Sequence, residues 1–257
     1  MKKRGESQGK AVNKVVTIMG DRSPLALSLL CLLAPGPAAA GAQEDFRIWG
    51  NVTSIANLGS LDPRLDRWRW WMEGQGRWRD GGDALDQGLV RTGVGYALTD
   101  RASVWLGYAY VPTLPEARRT INEHRIWQQL TLTDFAPFGD LTSRSRLEQR
   151  FIQGIDPVEW RFREFVRFSR PIAEGSPFSF ILWDEVFVRL NSTTPTVRTG
   201  FDQNRGFAGI GYSFDRHARL EVGYLNQLVQ TFVQTRTRRA TDLRMNHILS
   251  TSLFLNF

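Results

Sequence analysis

From residue 66 to 257 the chain reads as a series of segments of about ten to fourteen residues in which polar and apolar positions alternate. Between 66 and 78, Trp68, Trp70, Met72, Gly74 and Trp78 face one way, and Arg67, Arg69, Glu73, Gln75 and Arg77 face the other. Between 103 and 110, Val104, Leu106, Tyr108 and Tyr110 oppose Trp105, Gly107 and Ala109. Segment 142–151 sets Arg144, Arg146, Glu148 and Arg150 against Leu147 and Phe151; segment 158–169 sets Arg161, Arg163 and Arg167 against Trp160, Phe162, Val166 and Phe168. At the end, Leu249, Thr251, Leu253, Leu255 and Phe257 share a face. A period of two puts alternate side chains on opposite sides of a strand.

Such strands suit either a soluble sandwich or a lipid-embedded barrel with an inverted interior. Three features favour the barrel. Aromatic residues (Trp68, Trp78, Tyr96, Tyr108, Tyr110, Trp160, Phe168, Tyr212, Tyr224) gather near segment ends, as interfacial girdles require. The front of the chain looks like an export signal. The last strand ends on Phe257, with Leu255 and Leu253 on its face, and resembles the closing strand that bacterial insertion machinery reads.

Counting back from Phe257 gives ten strands: 245–257, 217–229, 203–214, 178–190, 158–170, 141–152, 121–134, 102–111, 85–98 and 66–79. An eleventh candidate, 46–57, precedes them. Single-chain bacterial barrels have even counts and both termini on the periplasmic side. The expectation is therefore an all-β, antiparallel transmembrane barrel of ten or twelve strands, with 46–57 either beside it or paired with an unseen strand. Tight turns at 99–101, 137–140, 174–177 and 215–216 belong on the periplasmic side; 112–120, 191–202 and 230–242 are the outer loops.

The front supports export. Lys2, Lys3, Arg4, Lys10 and Lys14 precede an apolar run at 25–33, and Ala40-Gly41-Ala42 offers a cleavage site. Residues 1–42 are read as a signal peptide, with Met19 an alternative start, and 43–257 as one domain. The segment removed holds Cys31, the single cysteine, which excludes disulfide and thiol chemistry from 43–257. It also holds six basic and two acidic residues, so 43–257 carries about +3 rather than +7. The basic isoelectric point thus says little for a nucleic-acid partner.

The runs RIWGN (47–51), WRWWMEGQGR (68–77), GYALTDRASVWLGYAYVP (95–112) and NEHRIWQQL (122–130) resemble one bacterial family. So do SRSRLEQRF (143–151), FILWDEVFV (180–188), GFDQNRGFAGIGY (200–212) and RMNHILSTSLFLNF (244–257). The family is catalogued as domain of unknown function 2490. What the resemblance implies is an exported β-barrel; it assigns no activity.

Candidate chemistry lies on the inward face. Arg67, Arg69, Glu73, Arg77, Glu123, Arg125, Arg144, Arg146, Glu148, Arg150, Arg161, Arg163, Arg167, Glu185, Arg205, Arg219 and Glu221 share one lumen on this pattern, twelve arginines to five glutamates. They form either a charge-paired plug or an anion-attracting pore or cavity. Asp184 and Glu185 break the alternation, which predicts a bulge or a position at the aqueous rim; 202–205 reads as a loop edge.

An enzyme acting on lipid would need a base, for which His124 and His247 are the candidates, but no nucleophile motif accompanies them. No metal or cofactor signature is present in the sequence. The reading is a non-enzymatic outer-membrane barrel, structural or a narrow pore, with a lipid hydrolase or acyltransferase as alternative. Its expected partners are membrane lipids, lipopolysaccharide, the insertion machinery and a small anionic solute.

Overall fold

A computed structural model describes residues 43–257 except 117–118, 137, 195–196 and 235–238; side chains at 43–44, 135–136 and 232–240 are also left out. The expected signal peptide, Met19 and Cys31, and loop residues Arg118, Arg236 and Arg238, lie outside the described residues; Arg239 is described in its backbone only.

Eleven strands are present among the described residues: β1 (Gln43–Asn57), β2 (Trp68–Arg79), β3 (Ala84–Ala97), β4 (Ala102–Thr113), β5 (Ile121–Ala136), β6 (Gly139–Ile152), β7 (Glu159–Pro171), β8 (Phe178–Arg189), β9 (Gly200–Ser213), β10 (Ala218–Gln234) and β11 (Arg239–Asn256). Each pairs antiparallel with the next, and β1 pairs parallel with β11 to close the barrel. The expected count of ten or twelve is corrected to eleven, and 46–57 is a stave of the wall. An up-and-down chain of odd count leaves its first and last strands pointing the same way, so the ring can close only through a parallel ladder. Gln43 and Phe257 consequently lie at opposite ends of the barrel.

Four connections at one end are short: 98–101, 137–138, 172–177 and 214–217. The fifth at that end, 58–67, is longer and folds into two 3-10 turns, Leu58–Ser60 and Pro63–Leu65, capped by the Asn57 and Asp62 side chains. At the opposite end lie 114–120, 153–158 and 190–199. The expected outer loop 230–242 is mostly ladder there, since β10 and β11 pair out to Gln234 and Arg239.

The side-chain pattern is inverted relative to a water-soluble domain. Phe46, Val52, Trp70, Met72, Val90, Val94, Leu106, Ile126, Leu182, Ile210, Val222 and Leu249 are exposed on the outside. Charged residues such as Glu73, Arg91, Arg146, Glu148 and Arg163 are buried inside. Aromatic pairs stand at both ends. Trp68–Tyr96 (5.2 Å) and Phe178–Tyr212 (4.9 Å) mark the short-turn end, and Tyr110–His124 (5.3 Å) stands near the other; Tyr224–His247 lies mid-strand. No described helix is long and apolar enough to cross a membrane, which leaves strand crossing open.

Inside, two apolar clusters sit on opposing walls: Trp71, Leu89, Trp105, Ala109, Val111 and Trp127, and Trp49, Ile181, Phe207, Leu225 and Ile248. Glycine pairs make room for their rings. A Cβ on Gly107 would lie 2.2 Å from the Trp127 indole, and one on its ladder partner Gly93 would lie 2.6 Å from it. Gly209 and Gly223, also ladder partners, seat Phe207 in the same way.

The outer face is not uniformly apolar. On β6 and β7 Glu164 accepts hydrogen bonds from Ser143 (2.7 Å) and Ser145 (2.5 Å), and on β8 and β9 Asp184 accepts from Asn204 (2.9 Å). Asp184 is therefore mid-strand and amide-paired, neither at the rim nor in a bulge. The bulge lies further along, opposite Phe187 and Val188, where Asp202 is the extra residue of β9. That extra residue turns inward, so 202–205 is part of the lumen wall and not a loop edge.

Candidate functional site: an arginine-lined lumen

The lumen holds a cavity of about 880 Å³, within the size range of sites that enclose small organic ligands. Barrel width grows with strand number: about eight strands are filled by their own side chains and about sixteen leave an aqueous channel. Eleven strands leave space that side chains only partly fill.

Fifteen of the seventeen charged residues singled out in the sequence point into this lumen. Glu148, fully buried, accepts from Arg161 (2.6 Å) and Arg163 (2.7 Å). Arg163 also reaches Glu185 (2.6 Å), which Arg144 approaches to 3.1 Å. Glu123 takes Arg125 (2.6 Å) and Arg150 (2.5 Å), and Arg150 continues to Glu159. Glu73 pairs with Arg91 (2.7 Å), and Glu221 with Arg167 (2.7 Å) and Arg219 (3.0 Å). The two remaining residues sit elsewhere. Arg67 is exposed in the connection before β2, and Arg69 turns back to the carbonyls of Asp66 and Trp68.

Some guanidinium groups donate no hydrogen bond to a carboxylate among the described residues, though Glu185 lies 3.8 Å from Arg205. Arg146 donates to the Gln129 carbonyl oxygen (2.8 Å) and lies over Trp127, 4.5 Å from its ring centre. Arg77 donates to Gln87 (2.6 Å) and Gln75 (2.7 Å) and lies over Trp49 at 4.3 Å. Arg205 lies over the same indole at 4.9 Å and over Phe187 at 4.6 Å. Cation–π contact and amide dipoles hold these guanidinium groups without cancelling their charge. The cavity wall as described carries thirteen arginines against six carboxylates, and four further carboxylates that pair with those arginines (Asp45, Glu123, Glu148 and Glu159) stand beside or behind it, so an excess of three positive charges remains and attracts anions.

Several lumen residues were not singled out from sequence. Arg91 belongs to β3, where the alternation Leu89–Arg91–Gly93 against Val90–Thr92–Val94 could have revealed it. Asp202, which pairs with Arg161 (3.3 Å) and Arg189, turns inward through a bulge that no local pattern announces. Trp49 and Trp71 were visible only as aromatic residues of alternating strands.

The two candidate bases are on the outer surface. His124 Nδ1 lies 2.6 Å from the Tyr108 hydroxyl, and His247 Nδ1 lies 2.6 Å from that of Tyr224. Among the described residues neither ring is hydrogen-bonded to a Ser or Thr hydroxyl, and no three His, Cys, Asp or Glu side chains converge as metal ligands do.

The family model described as protein of unknown function (DUF2490) matches residues 46–238, from early β1 to the β10–β11 connection. An uncharacterised protein of Methylorubrum extorquens is 32% identical over 237 residues, covering 91% of this chain and 97% of the relative. No solved structure matches. The chain belongs to the DUF2490 family.

Proposed function

We propose that this protein is an outer-membrane barrel of a Gram-negative bacterium, exported by a signal peptide at 1–42, whose lumen forms a narrow passage for small anions. The observation that carries the reading is the excess of arginine over carboxylate around an internal cavity, three once the carboxylates paired with its arginines from behind are counted, inside a wall whose outside is mainly apolar. A bilayer is the solvent that makes this inside-out arrangement stable, because lipid accepts the apolar face and closure leaves no backbone edge unpaired. Charged rings at close quarters set the sign of the ion that passes. Membrane lipid and lipopolysaccharide contact the outside, and the apolar outer face of β11, with Leu253, Leu255 and Phe257, is the surface for insertion machinery.

Reconstitution into planar bilayers tests the passage. Small-conductance events with a reversal potential favouring chloride over potassium are expected, and Arg144→Ser with Arg167→Ser should reduce that preference. Absence of conductance, or a preference for cations, overturns it.

A further inference from the structure

We propose that Arg205, Arg77 and Trp49 form a binding site for an organic oxyanion, an acid group carried on an apolar body, inside the lumen. The inference rests on the anion reading above and makes it specific.

Arg205 differs from the paired arginines around it. It is 8% exposed, and its nearest carboxylate oxygen, on Glu185, is 3.8 Å away, too far for a hydrogen bond. Among the described residues no nitrogen of Arg205 has a hydrogen-bond acceptor, and Nε is shielded from solvent as well. It reaches from β9 across the lumen to Trp49 on β1, whose indole N–H is also buried without a partner. Arg77, the ladder partner of Trp49, brings a second guanidinium to the same ring, balanced only by amides, and its Nε is again unpartnered. Buried donors left without acceptors are costly, so a group this rich in them suits a ligand that brings acceptors. A carboxylate or phosphate oxygen set meets that need, and a guanidinium fork fits either.

The neighbouring wall says what the acid group is attached to. Trp183, Phe207 and Leu225 line the cavity beside Arg205, with Phe207 two residues along β9 and stacked on Trp183 at 5.2 Å. An apolar body laid there removes hydrocarbon from water while its acid group stays at the guanidinium groups. Inorganic ions gain only the second contact.

Calorimetric titration of the folded protein in detergent tests the site with benzoate, phenyl phosphate, inorganic phosphate and chloride. Saturable 1:1 binding of benzoate or phenyl phosphate is expected, at least tenfold tighter than inorganic phosphate or chloride; the order of the two organic anions identifies the acid group. Arg205→Gln should weaken binding at least tenfold, Arg205→Lys less, and Trp49→Phe several-fold through loss of the indole N–H. Arg101→Gln at the rim should leave it unchanged. Glu185 keeps Arg163 and Arg144 in the Arg205 variants, so the barrel has no uncompensated carboxylate there, and Trp49→Phe serves as the test should Arg205→Gln not fold. No saturable organic-anion binding, or unchanged binding in these folded variants, overturns the site. Anion-selective conductance without saturable binding leaves the passage standing and removes this inference; binding without conductance does the reverse.

Discussion

The backbone N–H of Asn57 donates to the carbonyl of Phe257 at 2.6 Å, and the Phe257 N–H returns a bond to Ile55 at 2.9 Å. The last residue of the chain is thereby locked to the end of its first strand. Everything about the barrel's closure follows from that parallel ladder.

Cysteines can read the ladder directly. Val52 and Leu253 are direct partners across β1 and β11. Directly paired positions bring Cα atoms within the reach of a disulfide. Residues 43–257 contain no other cysteine. Val52→Cys with Leu253→Cys should therefore cross-link under mild oxidation and migrate faster on non-reducing gels. Equal or better cross-linking of Gly74→Cys with Leu253→Cys would instead mean a ten-stranded barrel closed by β2.

Glu148 is the hub of the inner network, holding Arg161 and Arg163 at once. Removing one partner of a buried ion pair leaves uncompensated charge and typically costs about 3–5 kcal/mol. Glu148→Gln should lower stability to urea by that order. Disruption of Arg101–Asp134 (3.1 Å), where the arginine is 66% exposed, should cost under about 1 kcal/mol. Equal effects of the two would mean that water screens the lumen as well as the rim.

The seat beneath Trp127 is a packing prediction. A Cβ at Gly107 would meet the Trp127 ring at 2.2 Å and the Thr92 carbonyl oxygen at 2.3 Å, and backbone cannot swing aside as a side chain can. Overpacking of this kind costs about 1–3 kcal/mol. Gly107→Ala should destabilise the barrel, whereas Gly74→Ala, with nothing within 4 Å, should not. Thermal unfolding monitored by circular dichroism separates the two.

Outward-facing Asp184, paired among the described residues with Asn204 alone, is costly if lipid surrounds it. Asp184→Leu with Asn204→Leu should then raise unfolding stability in bilayers by up to about 2 kcal/mol, the lower part of the range for charge on a barrel's lipid face. A loss of stability would show that this face meets water or a protein partner.

The β9–β10 turn carries a pH dependence. Asp215 accepts from the backbone N–H groups of His217 (2.7 Å) and Ala218 (2.8 Å), which hold its carboxyl below the usual value of 3.8. A depressed carboxylate contributes order above its unfolded value and loses it as pH falls through the folded one. Hydrogen exchange at His217 and Ala218 should stay slow at neutral pH and accelerate, beyond the intrinsic pH trend, only once pH falls below the usual carboxylate value of 3.8. In Asp215→Ala both amides should exchange fast throughout.

The alternation of the chain by itself determined that this is a strand protein with a charged side and an apolar side. It also fixed which arginines and glutamates share a face, because a period of two leaves no freedom once a strand is granted. Glu148, Arg161, Arg163 and Glu185 were legible on that ground. The tertiary structure alone decided three things. Parity of the strand count is a property of the closed ring, so 46–57 looked surplus until its parallel ladder with β11 appeared. The inward turn of Asp202 depends on a register shift against β8, which has no local cause in the sequence. The contact of Arg205 with Trp49 spans a lumen between strands far apart in the chain. Which arginines are neutralised by carboxylates and which rest on indoles is set by that three-dimensional proximity, since charge pairing depends on distance across the barrel and not on spacing along a strand.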